Sequence, residues 1–291
     1  MRVPSIQRTA FIFGMILRIR TRAELSSAKT ALISSGNAHD ASVYHSNIAL
    51  EVQDPIIADI LKTEQAAANL SAAGPILSKL PVFTEESTAQ SGSPLEMRYL
   101  TEGNIYKYAL QGIRSAGQGD TLWMGMFYLA DDRILDELVK ASARGADIRL
   151  LMDPNQNAFG RDKIGIPNRP AAMDLNKRTG GKISIRWYNT GKEQYHTKLM
   201  FIAKASGPSI VLGGSTNFTA RNLDDFNLEN NLWIAVPKNQ PLYAEMESYF
   251  NRLWNNEDAQ YSLPFEVYQS DVTWMKYILF RMQKNLGFTT F

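Results

Sequence analysis

Cysteine is absent from the 291 residues, and histidine occurs only three times, as His39, His45 and His196. The first absence excludes disulfides, thiol nucleophiles and cysteine-held metals. The second leaves few candidates for any chemistry that needs two imidazoles. Charge of one sign is also scarce in excess, since 31 Lys and Arg face 29 Asp and Glu for a formal net charge of +2. Without the broad positive field of a nucleic-acid binder, any preference for phosphate must be local. Long apolar runs are missing too, which argues against a membrane span. The apolar stretch at 10–17 lies between Arg8 and Arg18. Arg18, Arg20 and Arg22 stand on the wrong flank for a signal peptide, and no small-residue cleavage site follows, so the stretch reads as a buried strand or the edge of a truncated domain in preference to a membrane-surface segment. The expected location is cytoplasmic or peripheral at a membrane.

What is present is a globular composition, 44% hydrophobic and 21% charged, long enough for a large core or two domains. Residues 30–34 and 47–52 read as strands, and 56–70 as an amphipathic helix. Residues 81–95, rich in Ser, Thr, Glu, Gly and Pro, read as a linker. Beyond them the pattern alternates. Helices are expected at 104–116, 131–143, near 170–176, 242–254 and 272–283, and strands at 121–126, 147–152, 183–187, 197–202, 210–212 and 232–236. Such alternation predicts an α/β domain in which helices cover a mixed sheet. Asp131 and Asp132 read as an N-terminal helix cap, and Arg144 with Gly145 as its stop.

Chemistry concentrates in three short pieces. His196 and Lys198 are two apart in a strand pattern, so their side chains share a face while Thr197 points away. Gly213 and Gly214 then precede Ser215 and Asn217, and Glu229 follows. A free imidazole can attack phosphorus, and an ammonium can neutralise the non-bridging oxygens as charge builds. Ser215 and Asn217 could donate further hydrogen bonds to those oxygens. Glu229 is the expected partner for the other nitrogen of His196, fixing its tautomer. Tyr195 and Trp187 read as packing residues. Arg161, Lys163 and Arg169 read either as a solvated charged loop or as guides for an anionic head group.

A weak repeat is also legible. Ser35 and Asn37 follow one strand as Ser215 and Asn217 follow another, and Asn47 and Asn227 each stand ten residues past the corresponding Asn. In that register Ala49 stands where Glu229 does. The separation of about 180 residues suits a duplicated domain and is too long for a solenoid.

The series His196-x-Lys198, Gly214-Ser215-x-Asn217 and Glu229 resembles the signature of the phospholipase D superfamily. Position 203 departs from it, with Ala203 where the family usually has Asp. The resemblance extends through Gly125 to Tyr128, Arg144 to Arg149, Asp153 to Asn155, Pro167 to Pro170 and Arg221 to Leu223. It implies a phospholipase D-like lobe, nearly complete over 96–291, plus a partial copy over 1–80 that has no His-x-Lys.

It further implies metal-independent phosphodiester hydrolysis or phosphatidyl transfer through a phosphohistidine, with no cofactor and no metal. His196, Lys198, Asn217 and Glu229 are the implied catalytic residues. His196, Lys198, Ser215 and Asn217, with Ser35 and Asn37 from the first copy, are the implied phosphate contacts. The expected substrates are phospholipids or small diesters, with contact to a membrane surface and a homodimer both compatible. Nucleic acid is the less favoured partner, although a nuclease of the same superfamily is one alternative. The other is a non-catalytic phosphate or lipid binding protein. Family members use a second histidine to protonate the leaving group, a task for which only His39, His45, water or a second subunit remains.

Overall fold

The computed structural model describes residues 7–12, 15–20, 30–37, 44–53, 56–69, 95–158, 161–191 and 193–286. The linker expected at 81–95 lies outside them except for Leu95, and so does His39. Strands β1 (Gln7–Ile12), β2 (Met15–Arg20), β3 (Thr30–Ser34) and β4 (Ala49–Gln53) form an antiparallel sheet in sequence order. The apolar stretch at 10–17 therefore contributes to two paired strands. Helix α1 (Ile57–Asn69) follows.

The larger sheet is built from β5 (Glu96–Thr101), β6 (Thr121–Met126), β7 (Asp147–Met152), β10 (Ser184–Tyr188), β11 (Lys198–Ala203), β12 (Ser209–Gly214), β13 (Asn230–Val236) and β14 (Ser262–Pro264). Its order is β14-β10-β7-β6-β11-β12-β13-β5. The pairs β6–β7 and β7–β10 are parallel and the others antiparallel, so the sheet is mixed as expected. A short hairpin, β8 (Asn157–Ala158) with β9 (Arg161–Asp162), stands apart. The helices are α2 (Gly103–Ser115), α3 (Asp132–Ala143), α4 (Asn168–Thr179), α5 (Ala220–Leu223), α6 (Pro241–Asn255) and α7 (Trp274–Leu286), with a 3-10 turn at Phe265–Asp271 before the last.

Strand β5 was hidden in the sequence because its exposed and half-buried residues alternate beside the polar linker; it completes the sheet edge against β13. Helix α3 starts as its acidic pair predicts. The Asp131 carboxylate accepts the Arg133 and Ile134 amides at 2.9 and 3.1 Å, satisfying two donors that the first turn leaves open. Gly145, at a φ of 90°, follows its end.

Alternation along the strands divides the core. Leu122, Met124, Met126, Met200, Ile202 and Leu212 face α2, α3 and α4. Trp123, Leu199, Phe201, Val211, Leu232 and Ile234 face the other way, against Ala31, Ile33, Leu50, Val52 and α1 from the small sheet and Phe250 of α6. Burying aliphatic side chains from both pieces is worth about 1.5–3 kcal/mol each, which holds the small sheet over the middle of the large one. Among the described residues, no helix is long and apolar enough to cross a membrane.

Candidate active site

The site lies where β11 begins, and both sheets contribute to it. His196 and Lys198 are buried. The Lys198 ammonium nitrogen is 2.9 Å from Nε2 and 3.0 Å from Nδ1 of His196, and it donates to the Ser35 carbonyl at 3.3 Å. Phe127 forms one wall, its ring centroid 4.8 Å from that of His196 and 5.5 Å from the ammonium. Burial pushes the Lys198 pKa down to about 7, against the pull of the Glu229 and Asp153 carboxylates.

The segment ahead of His196 is fixed from two directions. Asp153, fully buried, accepts the Tyr195 amide at 2.7 Å and the Asn155 amide at 2.6 Å. Burial raises its own carboxyl to about 7 in spite of those bonds. Asn155 and Asn168 extend the network: both donate to the Phe127 carbonyl, at 3.0 and 2.7 Å, and Asn168 accepts the Leu129 amide. These three side chains, from two of the segments through which the resemblance extends, position the backbone around the Phe127 wall.

From the other direction the loop before β4 runs along residues 194–197. The Ser46 amide donates to the Gln194 carbonyl at 2.9 Å, and Thr197 Oγ1 donates to the Ser46 carbonyl at 3.2 Å. The Gln194 amide donates to His45 Nδ1 at 3.3 Å. The His45 and His196 rings consequently stand 6.1 Å apart, centroid to centroid.

Two expectations are corrected at this point. His196 Nδ1 meets Asn47 Oδ1 at 3.0 Å, where Glu229 was expected. Glu229 instead accepts the Ser215 hydroxyl on one oxygen and the Asn222 amide on the other, and burial raises its carboxyl. The register of the repeat changes as well. The Ser35 amide donates to the Ile48 carbonyl and the Ile48 amide to Ser35 Oγ, at 3.0 and 2.9 Å. The Ser215 amide donates to the Asn230 carbonyl and the Asn230 amide to Ser215 Oγ, at 2.9 and 3.0 Å. In this clamp Asn47, not Ala49, is the counterpart of Glu229. The first loop is two residues shorter, and the matching of Asn47 with Asn227 fails for that reason.

Asn47 donates through Nδ2 to the His45 carbonyl at 3.1 Å, which turns Oδ1 toward His196. An amide oxygen accepts, so Nδ1 carries the proton and the lone pair sits on Nε2. The carboxamide oxygen of Asn217 is buried without a hydrogen-bond partner among the described residues, and turning the amide would present its NH2 instead. Gly214 is required where it stands, because a Cβ there would collide with the Asn230 carbonyl and the backbone of Asn231.

The remaining candidates separate. Asn37 is exposed on the loop after β3. Arg169 is largely buried, donating to Asp271 at 2.6 Å and to the Pro154 carbonyl at 2.8 Å, so it ties structure together and does not greet a head group. Lys163 is exposed, and the Arg161 side chain lies outside the described features. Tyr195 and Trp187 are buried in the core, Tyr195 stacked on Tyr188. Among the described residues, no group of three or more His, Asp or Glu is placed to hold a metal ion.

The profile of a family described as cardiolipin synthase, PLD-like domain, matches residues 110–254. Of solved structures, phosphatidylserine synthase from Haemophilus influenzae Rd KW20 superposes with a TM-score of 0.60 at 12% identity, over 89% of this chain and 67% of that one. The phospholipase D family member Nuc from Salmonella typhimurium aligns at 21% identity over 55% of this chain and 95% of its own, with a TM-score of 0.43. NucT from Helicobacter pylori aligns at 16% identity over 55% and 96%, with a TM-score of 0.42. No curated protein matches the sequence.

Proposed function

From a phospholipase D-like fold, we propose that this chain is a phosphodiesterase or phosphatidyltransferase working through a phosphohistidine on His196. The observation that carries the reading is the contact of His196 Nδ1 with Asn47 Oδ1, which leaves Nε2 as a nucleophile beside the Lys198 ammonium. Nε2 attacks phosphorus and the bond from phosphorus to the leaving oxygen breaks. Lys198 moves from Nε2 to a non-bridging oxygen, joined by the turned amide of Asn217, and together they stabilise the equatorial charge. Ser215 and Glu229 support the turn that carries Asn217 and hold a negative charge near Lys198.

The leaving oxygen needs a proton, and His45 supplies it. To do so the ring enters as the imidazolium, giving up the 3.3 Å bond that its Nδ1 accepts from the Gln194 amide, and Nε2 releases the proton to leave the neutral imidazole. Water or an alcohol then attacks the phosphohistidine and returns a proton to His45, and the phosphorus–nitrogen bond breaks. Residues 1–80 are read as a reduced counterpart of the 96–291 lobe, joined through 81–95. The matching serine clamps support this, and His45 then substitutes for the imidazole that a full copy would bring. Phospholipids and small diesters fit the modest net charge better than long nucleic acids.

The test is EDTA-resistant turnover of bis(4-nitrophenyl) phosphate beside an alkyl diester. His196→Ala is expected to lower both by about 10³ or more. His45→Ala is expected to lower the alkyl diester by about 10²–10⁴ while sparing the nitrophenyl ester, whose leaving group needs no proton. Turnover insensitive to His196→Ala would refute the enzyme and leave a phosphate-binding protein.

A further inference from the structure

Helix α7 turns its apolar side outward. Phe280 is buried and anchors the helix, and Lys284 on the same side reaches Asp132 at the start of α3. The opposite side carries Trp274, Met275, Ile278, Leu279 and Met282, with exposures of 72, 64, 45, 38 and 52%. At helical spacing these five cover an arc of about 140°. Lys276 and Arg281 stand at its two borders, Arg281 half exposed with one guanidinium nitrogen 3.8 Å from the Asp132 carboxylate, and the helix contains neither Asp nor Glu.

The location matters as much as the composition. The turn before α7 is bound to the loop at 153–169 through Arg169 with Asp271 and Gln156 with Tyr268. That loop begins with Asp153, which holds the Tyr195 amide next to His196. The other end of α7 is bound to Asp132, just past the loop that supplies Phe127. Both ends are thus tied to backbone that surrounds the site.

We propose that α7 is an in-plane anchor for an anionic lipid surface, with the five apolar side chains among the acyl chains and Lys276 and Arg281 at the head groups. Charge favours this occupant over a second copy of the chain, because symmetric pairing of this face would bring the same cations together. The anchor deepens the proposed function, since it would set His196 at a bilayer edge, but its test requires no turnover.

Co-sedimentation of the full chain carrying His196→Ala with phosphatidylglycerol–phosphatidylcholine vesicles and with phosphatidylcholine alone decides it. Binding is expected on the anionic vesicles, lowered at least about tenfold by Ile278→Glu with Met282→Glu. Lys276→Gln and Arg281→Gln are each expected to lower it about fivefold. In the otherwise native chain, Ile278→Glu with Met282→Glu should leave turnover of a water-soluble diester unchanged, confirming an intact fold. Equal binding by native and glutamate variants would overturn the proposal. So would an absence of vesicle binding, including the case where the chain self-associates and the glutamate variant dissolves the complex, which would make the face a contact between copies. Failure of the catalytic reading would show instead as turnover indifferent to His196, whatever the vesicles report.

Discussion

The turn after β3 and the turn after β12 have the same clamp and different contents. In each, a serine amide and hydroxyl exchange hydrogen bonds with one residue at the start of the next strand. The residue before that partner is Asn47 in one and Glu229 in the other, and each receives the hydroxyl of its own serine, Ser35 at 3.4 Å and Ser215. The neutral amide reaches across the interface to His196, whereas the carboxylate stays beside Lys198. A clamp therefore sets where a side chain stands, and the facing half of the molecule sets what it does.

Exchanging the contents of the two turns sharpens that comparison. The largest effect is expected from Asn47→Leu, which keeps the volume and removes the acceptor on Nδ1. Losing a buried hydrogen bond costs about 1–3 kcal/mol, so kcat on a phosphodiester should fall roughly 10–100-fold. Asn47→Asp makes the first turn resemble the second, and it should retain turnover. Its carboxylate favours the imidazolium form of His196, so the acid limb of the pH–rate profile should move to higher pH. An unchanged kcat in Asn47→Leu would remove Asn47 from the mechanism.

The position before each serine gives the next effect. Ser34 uses its hydroxyl on the Ile48 carbonyl at 2.9 Å, while Gly214 has the Asn230 carbonyl where a Cβ would lie. Gly214→Ala is expected to destabilise the fold by about 1–3 kcal/mol, and Ser34→Gly by about 1 kcal/mol. Denaturant midpoints for the two variants measure the difference, and equal losses would mean that the turns are equally tolerant.

The smallest effect concerns Lys198. With its pKa lowered to about 7, the ammonium is present below that value and lost above it. From pH 6 to 8 its fraction falls about tenfold, so KM for a phosphodiester should rise by up to about that factor. Glu229→Gln removes a carboxylate that sustains the ammonium and should move this transition to lower pH, which a KM–pH series would detect. A KM that is flat over this range would show that Lys198 holds its proton throughout.

Much of this was legible in the chain. Period and capping place most strands and helices to within a few residues, because alternation, acidic caps and glycine stops act locally. The pairing of His196 with Lys198 is read from strand alternation, although the strand begins only at Lys198 and His196 stands in the segment just before it. Three things were not legible. Strand β5 reads as polar because it lies at an edge, and the orienting role of Asn47 is concealed by a loop two residues shorter than its counterpart. The Asp153, Asn155 and Asn168 network joins residues whose spacing has no period.

The sequence by itself determined an α/β chain with one His-x-Lys, no cysteine and nearly balanced charge, since these are matters of composition and local pattern. Only the tertiary structure decided that Asn47 meets His196 Nδ1, that His45 stands beside it, and that Glu229 accepts from Ser215 and Asn222. It also decided that Arg169 is held by Asp271 and that the apolar side of α7 faces outward. These outcomes depend on which surfaces pack, several of them through contacts between residues about 100 to 150 apart in the chain, and no local propensity encodes such a choice.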